Sequence, residues 1–569
     1  MELLVVVVLG LLGIAGATAI GPKLGVSAPL LLVIVGIAVS FLPIVPDVVV
    51  DPEWILAGVL PPLLYSASVS MPSMEFRREF GAISGLSVAL VVLSSVALGF
   101  LFTWLVPGVS LAAGIALGAI VSPTDAVATS IVKRVGVTPR IVTVLEGESL
   151  LNDATALVLL RTAIAATAAS VTFWGIVGDF VFAVVVAVVI GYLVGKANLW
   201  VRSKVTDATV NTVISFTVPF LASVPSELLG ASGLVAAVVA GLVTGRGAIR
   251  SLSPQHRLSD AQNWRTIELV LEGAVFLVMG LELSAILGDL GDETRGVAVG
   301  SAIAAISFVA VLLVRAFYVW PTLSLQRRSF RRGASMKPKL AAVQERLDGL
   351  DPAPASGAGD TAPESRRGRR RAPSSGSLER FRSRIRRKVA DIDYFMAVPL
   401  GWREGAVIVW AGMRGAVTLA AAQTLPHDTP DRSLIVFIAF LVAAGSLIIQ
   451  GGTLPWVVRL VKPAGVDHHA ATAERARLRR LLRGAADDVE RRHREAAVVA
   501  GGPKVEPEPA TDQELHRVLR LEIIEAQREA LLAAREDGTF SGSVLTGALE
   551  TLDAEQISIE LRGDHRDEA

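Results

Sequence analysis

The sequence predicts an all-α polytopic membrane protein: about 13 transmembrane helices in two inverted six-helix repeats with discontinuous crossing helices, then a helical cytoplasmic tail. Three observations carry that expectation. Hydrophobic residues make up 52% of the 569 positions and gather into repeated runs of about 18 or more, the length needed to cross a hydrocarbon core. Basic residues fall on alternate loops between those runs, as they do when one side of the membrane is cytoplasmic. The fifth and twelfth runs are each interrupted by proline or glycine beside a charge. They hold matching places in two halves joined by the seventh run, the best sequence pointer to a transport site at the midplane.

In order, the runs lie near 3–20, 27–44, 52–70, 82–106, 111–132, 142–169, 173–195, 207–228, 230–245, 265–285, 297–320, 404–425 and 433–458. The first is preceded by Glu2 and has no basic n-region, so it reads as a retained span and not a cleaved signal. Lys23, Arg77 with Arg78, Lys133 with Arg134 and Arg140, Lys196 with Arg202 and Lys204, and Arg246 with Arg250 and Arg257 share one side. Asp47, Asp51, Glu53, Asp179, Glu227, Asp289, Asp292 and Glu293 lie on the other. The N-terminus is therefore expected outside and the C-terminus in the cytoplasm of a plasma membrane, of the bacterial inner-membrane kind. Residues 1–325 and 396–463 form the membrane region. The insert at 326–395, rich in Pro, Gly, Ser and Arg, is expected to be a disordered basic cytoplasmic loop, a tether with some attraction for anionic headgroups. Residues 464–569 form a charged tail with helical periods at 473–497 and 512–536. Its Leu515, Leu519, Ile523 and Leu531 sit at core spacing for tail packing or dimer contact.

With no cysteine in the chain, disulfides, thiolate metal sites and a cysteine nucleophile are excluded. The seven histidines fall in loops, at a helix end or in the tail, which leaves the spans without a histidine base. No cofactor is expected.

Chemistry concentrates in Glu146-Gly-Glu-Ser-Leu-Leu-Asn-Asp153, which carries three carboxylates into the sixth run. At 3.6 residues per turn Glu146, Ser149 and Asp153 share one face, and Glu148 and Asn152 a neighbouring one. Counting from Val142, Asp153 lies about 16 Å deep, near the middle of a core about 30 Å thick, where a carboxylate is costly and rarely structural. In the fifth run, Ser122-Pro123-Thr124-Asp125 opens the helix about 12 Å from the cytoplasmic face; Asp125 there reads as a cap on the broken half-helix, a cation contact, or both. In the twelfth, Gly412-Met-Arg414-Gly415 puts a guanidinium about 15 Å in, so Arg414 must meet acids or open carbonyls. Arg315 and Glu148 lie about 8 and 9 Å deep, which suits a buried ion pair. Glu146 suits the helix N-terminal dipole, and Glu272 and Glu282 are cavity or pairing residues.

These motifs, in that order and spacing, resemble the Na⁺/H⁺ exchangers of the cation/proton antiporter family, the NhaP and NHE-like branch, over about residues 5–460. The resemblance implies a homodimer in which a core domain moves against a dimerisation domain. It implies that Asp153 is the exchanged-ion carboxylate, with Asn152, Thr124, Asp125 and Ser149 around the site, and that Glu148 pairs with Arg315. Relatives with Asn then Asp, as at Asn152-Asp153, typically exchange one cation for one proton; those with two Asp are typically electrogenic. Ala126 departs from a proline common in the family. Ser66 stands where many bacterial relatives carry Glu, which puts an accessory carboxylate there in doubt.

The expected mechanism is competition of H⁺ and Na⁺, K⁺ or Li⁺ for one carboxylate, which couples the two fluxes when the empty charged site crosses poorly. Hard oxygen ligands suit all three cations alike. The alternative is a gated monovalent cation channel, which would pass a current under voltage. A membrane hydrolase or acyltransferase would need an activated serine or histidine base among the spans.

Overall fold

In a computed structural model of the chain, which describes residues 2–43, 48–168, 173–290, 294–348, 375–397, 399–426, 429–465, 468–499 and 509–567, the regular elements among the described residues are helices. The N-terminal half holds α1 (Glu2–Leu24), α2 (Ala28–Ser40), α3 (Leu60–Ser70), α4 (Ser73–Ser84), α5 (Leu90–Leu105), α6 (Leu111–Val121), α7 (Val127–Val135), α8 (Pro139–Ala168), α9 (Phe173–Arg202), α10 (Ala208–Leu228) and α11 (Gly233–Ser251). There follow α12 (Pro254–Leu281), α13 (Leu283–Asp289), the long α14 (Thr294–Asp348), α15 (Ser375–Ala397), α16 (Trp402–Trp410), α17 (Ala416–Gln423), α18 (Arg432–Ser446), α19 (Gly452–Val461), and in the tail α20 (His468–Val499), α21 (Pro509–Asp537) and α22 (Gly542–Asp567). Hydroxyl and carboxylate caps start several of them. Ser110, Asp207, Ser232 and Ser253 accept from the backbone three residues on at α6, α10, α11 and α12, each satisfying a donor that the first turn leaves open. π-helical turns lead into α3 (Trp54–Val59), join α4 to α5 (Gly85–Ala89) and join α18 to α19 (Leu447–Gly451).

Nine helices among the described residues are long and apolar enough to cross a membrane. The other four expected windows are filled by shorter pieces. Ala28–Ser40, Trp54–Ser70 and Leu111–Val121 are apolar but short, and the twelfth window is divided between α16 and α17. Length alone therefore does not reach 13, because the windows that fall short include both broken ones. Exposed apolar side chains on α1, α9 and α14, such as Leu4, Val7, Val185, Leu313 and Phe317, suit lipid or another protein surface.

The chain divides into two compact units: Met1–Thr322 with Gly401–Val466, and Leu323–Leu400 with Asp467–Ala569. In the first, helices approach closely where side chains are small. A Cβ on Gly36 of α2 would lie 2.6 Å from Leu277 O of α12, and one on Gly114 of α6 would lie 2.6 Å from Gly99 O of α5. Such small-residue seams substitute for the hydrophobic drive that lipid does not supply. Two arginines that the sequence placed in basic loops are buried ties instead. Arg140 Nε meets Glu79 Oε1 at 2.6 Å, joining α8 to α4. Arg202 donates to Asn211 Oδ1 at 2.6 Å and Asp260 Oδ2 at 2.7 Å, joining α9, α10 and α12. In the second unit α20, α21 and α22 share a core of Leu478, Ile524, Leu531, Leu545 and Leu552.

The expectation of a disordered loop at 326–395 is corrected at both ends. α14 runs on to Asp348 and α15 occupies Ser375–Ala397, while 349–374 lie outside the described residues. The basic runs masked a helical period: Ile385, Val389 and Ile392 return at three- and four-residue spacing, and Ile385 is buried. Neighbouring Arg387 donates its Nε to Glu536 O at 2.6 Å, and Arg386 lies 3.5 Å from Asp537, at the end of α21 where carbonyls are open.

Candidate ion-binding site

Two interrupted helices meet at the centre of the first unit. α6 stops at Val121 and α7 starts at Val127; α16 stops at Trp410 and α17 starts at Ala416. Pro123 sits in one gap, Gly412 and Gly415 in the other. The gaps are joined by a backbone hydrogen bond, Asp125 N to Met413 O at 2.8 Å. Each break leaves carbonyls open at one helix end and N–H groups open at the other. Arg414, 2% exposed, serves the carbonyls: Nε donates to Val121 O at 2.9 Å, Nη2 to Ser122 O at 3.4 Å, and Nη1 to Gly412 O. Its own amide donates to Ser446 Oγ at 2.8 Å. Asp125 serves the N–H side, its Oδ1 accepting from Val127 N at 2.8 Å. The glycines are steric requirements: a Cβ on Gly415 would overlap the Asp125 carboxylate, and one on Gly412 would lie 2.5 Å from Arg315 Nε.

α8 presents two faces to this crossing, separated as a 3.6-residue period requires. On one, Glu148 and Asn152, each 1% exposed, face a small closed void beside Arg315 and Arg414. Arg315 of α14 forks onto Glu148, Nη1 to Oε1 and Nη2 to Oε2 at 2.8 Å, and spends Nε on Ile408 O at 3.0 Å. Thr124 Oγ1 donates to Glu148 Oε1 at 3.0 Å and accepts from Asn152 Nδ2 at 2.8 Å; the same amide also donates to Thr124 O at 2.9 Å. Ser87, in the π-helical turn before α5, donates to Glu148 O at 3.1 Å. This relay fixes α8, α14 and the first break to one another. A buried ion pair of this kind constrains packing more than it adds stability.

The other face opens on a cavity of about 330 Å³. Asp153 and Ser149, each 8% exposed, line it with Pro123, Thr124, Asp125, Gly415 and Glu146. Glu146 is paired there with Lys133, and Ser149 Oγ donates to Glu146 O at 3.2 Å. Among the described residues, no hydrogen bond or ion pair reaches the Asp153 carboxylate. Of the predicted site residues, then, Asp153, Asp125, Ser149 and Thr124 are together on the cavity, while Asn152, Glu148, Arg315, Arg414 and Gly412 do not line it. The sequence left Glu272 and Glu282 open between roles. Glu272 lines the cavity; Glu282, at the other end of α12, accepts from Val50 N at 3.2 Å and Gln423 Nε2 at 3.1 Å. Sequence reasoning missed Glu268 and Thr129, which also line the cavity. Glu268 had one available signal, its place one turn before Glu272 on the same helix. Among the described residues, no group of three or more His, Asp or Glu side chains is arranged to hold a metal ion.

Comparisons with known proteins agree in kind. The family model described as "Sodium/hydrogen exchanger, transmembrane" matches residues 7–343 and 387–460. An uncharacterized Na⁺/H⁺ exchanger of Mycobacterium tuberculosis is 28% identical over 98% of this chain and 96% of that protein. A Bacillus subtilis protein named as a sodium, potassium, lithium and rubidium/H⁺ antiporter is 25% identical over 76% of this chain and 57% of its own length. The sodium proton antiporter MjNhaP1 of Methanocaldococcus jannaschii, solved at pH 8, superposes with a TM-score of 0.55 at 16% identity, covering 81% of this chain and 99% of that one. That likeness shows the fold.

Proposed function

Since the chain belongs to the sodium/hydrogen exchanger family, we propose that it exchanges one monovalent cation for one proton by alternating access, with Asp153 holding each in turn. The observation that carries this reading is a buried carboxylate without a partner, facing a cavity beside two broken helices. Removing an ionised carboxylate from water costs several kcal/mol unless something neutralises it. A proton does so by making it neutral, and a cation by pairing with it, helped by the oxygens of Ser149 and Asp125. Either guest makes the site tolerable to move and the empty site does not, so neither flux runs alone. The Glu148–Arg315 pair, Asn152 and Thr124 are positioning residues in this scheme, and Arg414 compensates the open carbonyls of α6.

The same reading places residues 1–325 and 396–463 in a multi-pass plasma-membrane region with the N-terminus outside, and puts the insert and the tail in the cytoplasm. It makes the working form a homodimer and the role pH and cation homeostasis. Na⁺ is the first substrate to test; the name of the Bacillus relative brings K⁺ and Li⁺ in as well. No observation favours a channel. The experiment is purified protein in vesicles carrying a pH gradient, challenged with Na⁺, K⁺ and Li⁺ in turn. Cation-evoked collapse of the gradient is expected with wild type and not with Asp153→Asn; full exchange by a folded Asp153→Asn protein would refute the assignment.

A further inference from the structure

The cavity holds more acid than one exchanged carboxylate requires. Asp125, Glu146, Asp153, Glu268 and Glu272 line it, against a single base, Lys133. Two of the five are engaged, Glu146 by Lys133 and Asp125 by the Val127 amide, while Glu268 lies near the Ser66 hydroxyl and exposed Arg265. Asp153 and Glu272 take no hydrogen bond or ion pair among the described residues. They come from different elements, α8 and α12. A further polar atom on this wall lacks a partner: Thr129 Oγ1, on a residue 4% exposed. An apolar or packed lining would leave none of these groups unmet, since buried polar groups are otherwise almost always satisfied. Unmet carboxylate oxygens on a cavity of this size are the donor set of a hard monovalent cation.

We infer that Glu272 is a second cation station, an entry site on α12 that takes the cation as it comes into the cavity and delivers it to Asp153. The inference rests on the exchange reading above. A carboxylate with no competing partner raises the local cation concentration in the cavity, and Glu268, one turn away on α12, adds to that field. Glu272 acts on capture, so its loss weakens apparent affinity and spares the maximal rate, whereas Asp153 acts on the exchange itself.

The test is Na⁺-dependent proton flux in vesicles, with KM and Vmax measured for wild type, Glu272→Gln, Glu272→Asp and Asp153→Asn, and folding checked by thermal unfolding in detergent. Glu272→Gln is expected to raise the KM for Na⁺ about tenfold, equivalent to about 1.4 kcal/mol, with Vmax within about twofold. Glu272→Asp should recover most of the affinity. An unchanged KM in a folded Glu272→Gln protein overturns the entry site, and so does loss of Vmax that Glu272→Asp does not rescue. If Glu272→Gln does not fold, Glu272→Ala takes its place with the same expected rise in KM, and an unchanged KM in the folded protein overturns the proposal. Failure of the exchange reading looks different: wild type then shows no Na⁺-driven proton flux, or Asp153→Asn retains it.

Discussion

At the scale of single residues, the split between the two faces of α8 sorts what each side chain can do. Glu148 is held by a guanidinium fork and a threonine hydroxyl, so replacing it by Gln leaves Arg315 buried without its counter-charge. Breaking a buried pair this way costs about 3–5 kcal/mol. Glu148→Gln should therefore lower the melting temperature in detergent well below that of Asp153→Asn, whose carboxylate has no partner to orphan; equal melting temperatures would count against the assigned roles. The face division itself was legible in the sequence, because a helical period fixes which residues share a side. Glu268 was passed over because it lies near the edge of the apolar run, although its place one turn before Glu272 puts both on one face of α12.

At the scale of elements, the crossing of the two breaks depends on glycines as much as on charges. Gly415 has no room for a methyl group against Asp125, whereas Gly445 in α18 has nothing within 4 Å of its Cβ direction. Gly415→Ala is expected to cut exchange at least tenfold and Gly445→Ala to leave it within about twofold, read as Na⁺-evoked proton flux at matched protein density. The breaks could be found from sequence because proline and glycine mark where a helix must open. What Arg414 faces could not be found so directly. Depth alone left acids and carbonyls as alternatives, and only the three-dimensional crossing brings the end of α6 to its guanidinium. The insert erred in the opposite direction, since the arginines at 380–387 read as disorder although they sit on α15, where Ile385 is buried.

At the scale of the whole molecule, the two units carry separable expectations. The tail bundle closes on its own leucine core, so Leu531→Ala, at a residue 4% exposed, should destabilise the tail by about 2–5 kcal/mol. Limited proteolysis at 468–567 reads that effect, and a wild-type cleavage rate would contradict it. For the membrane unit, the proposed exchange of one charge for one would cancel the membrane potential, worth about 2.3 kcal/mol per charge per 100 mV. Exchange should thus run at the same rate with and without a voltage clamp. The claim beneath all of this is that a cation and a proton exclude each other at Asp153. Calorimetric titration of Na⁺ into the purified protein in two buffers of different ionisation heat counts protons released per cation bound. About one is expected for wild type when Asp153 starts protonated, and about one fewer for Asp153→Asn, whose remaining binding heat is that of the Glu272 station; Na⁺ binding to wild type without proton release, or unchanged release from Asp153→Asn, would contradict it.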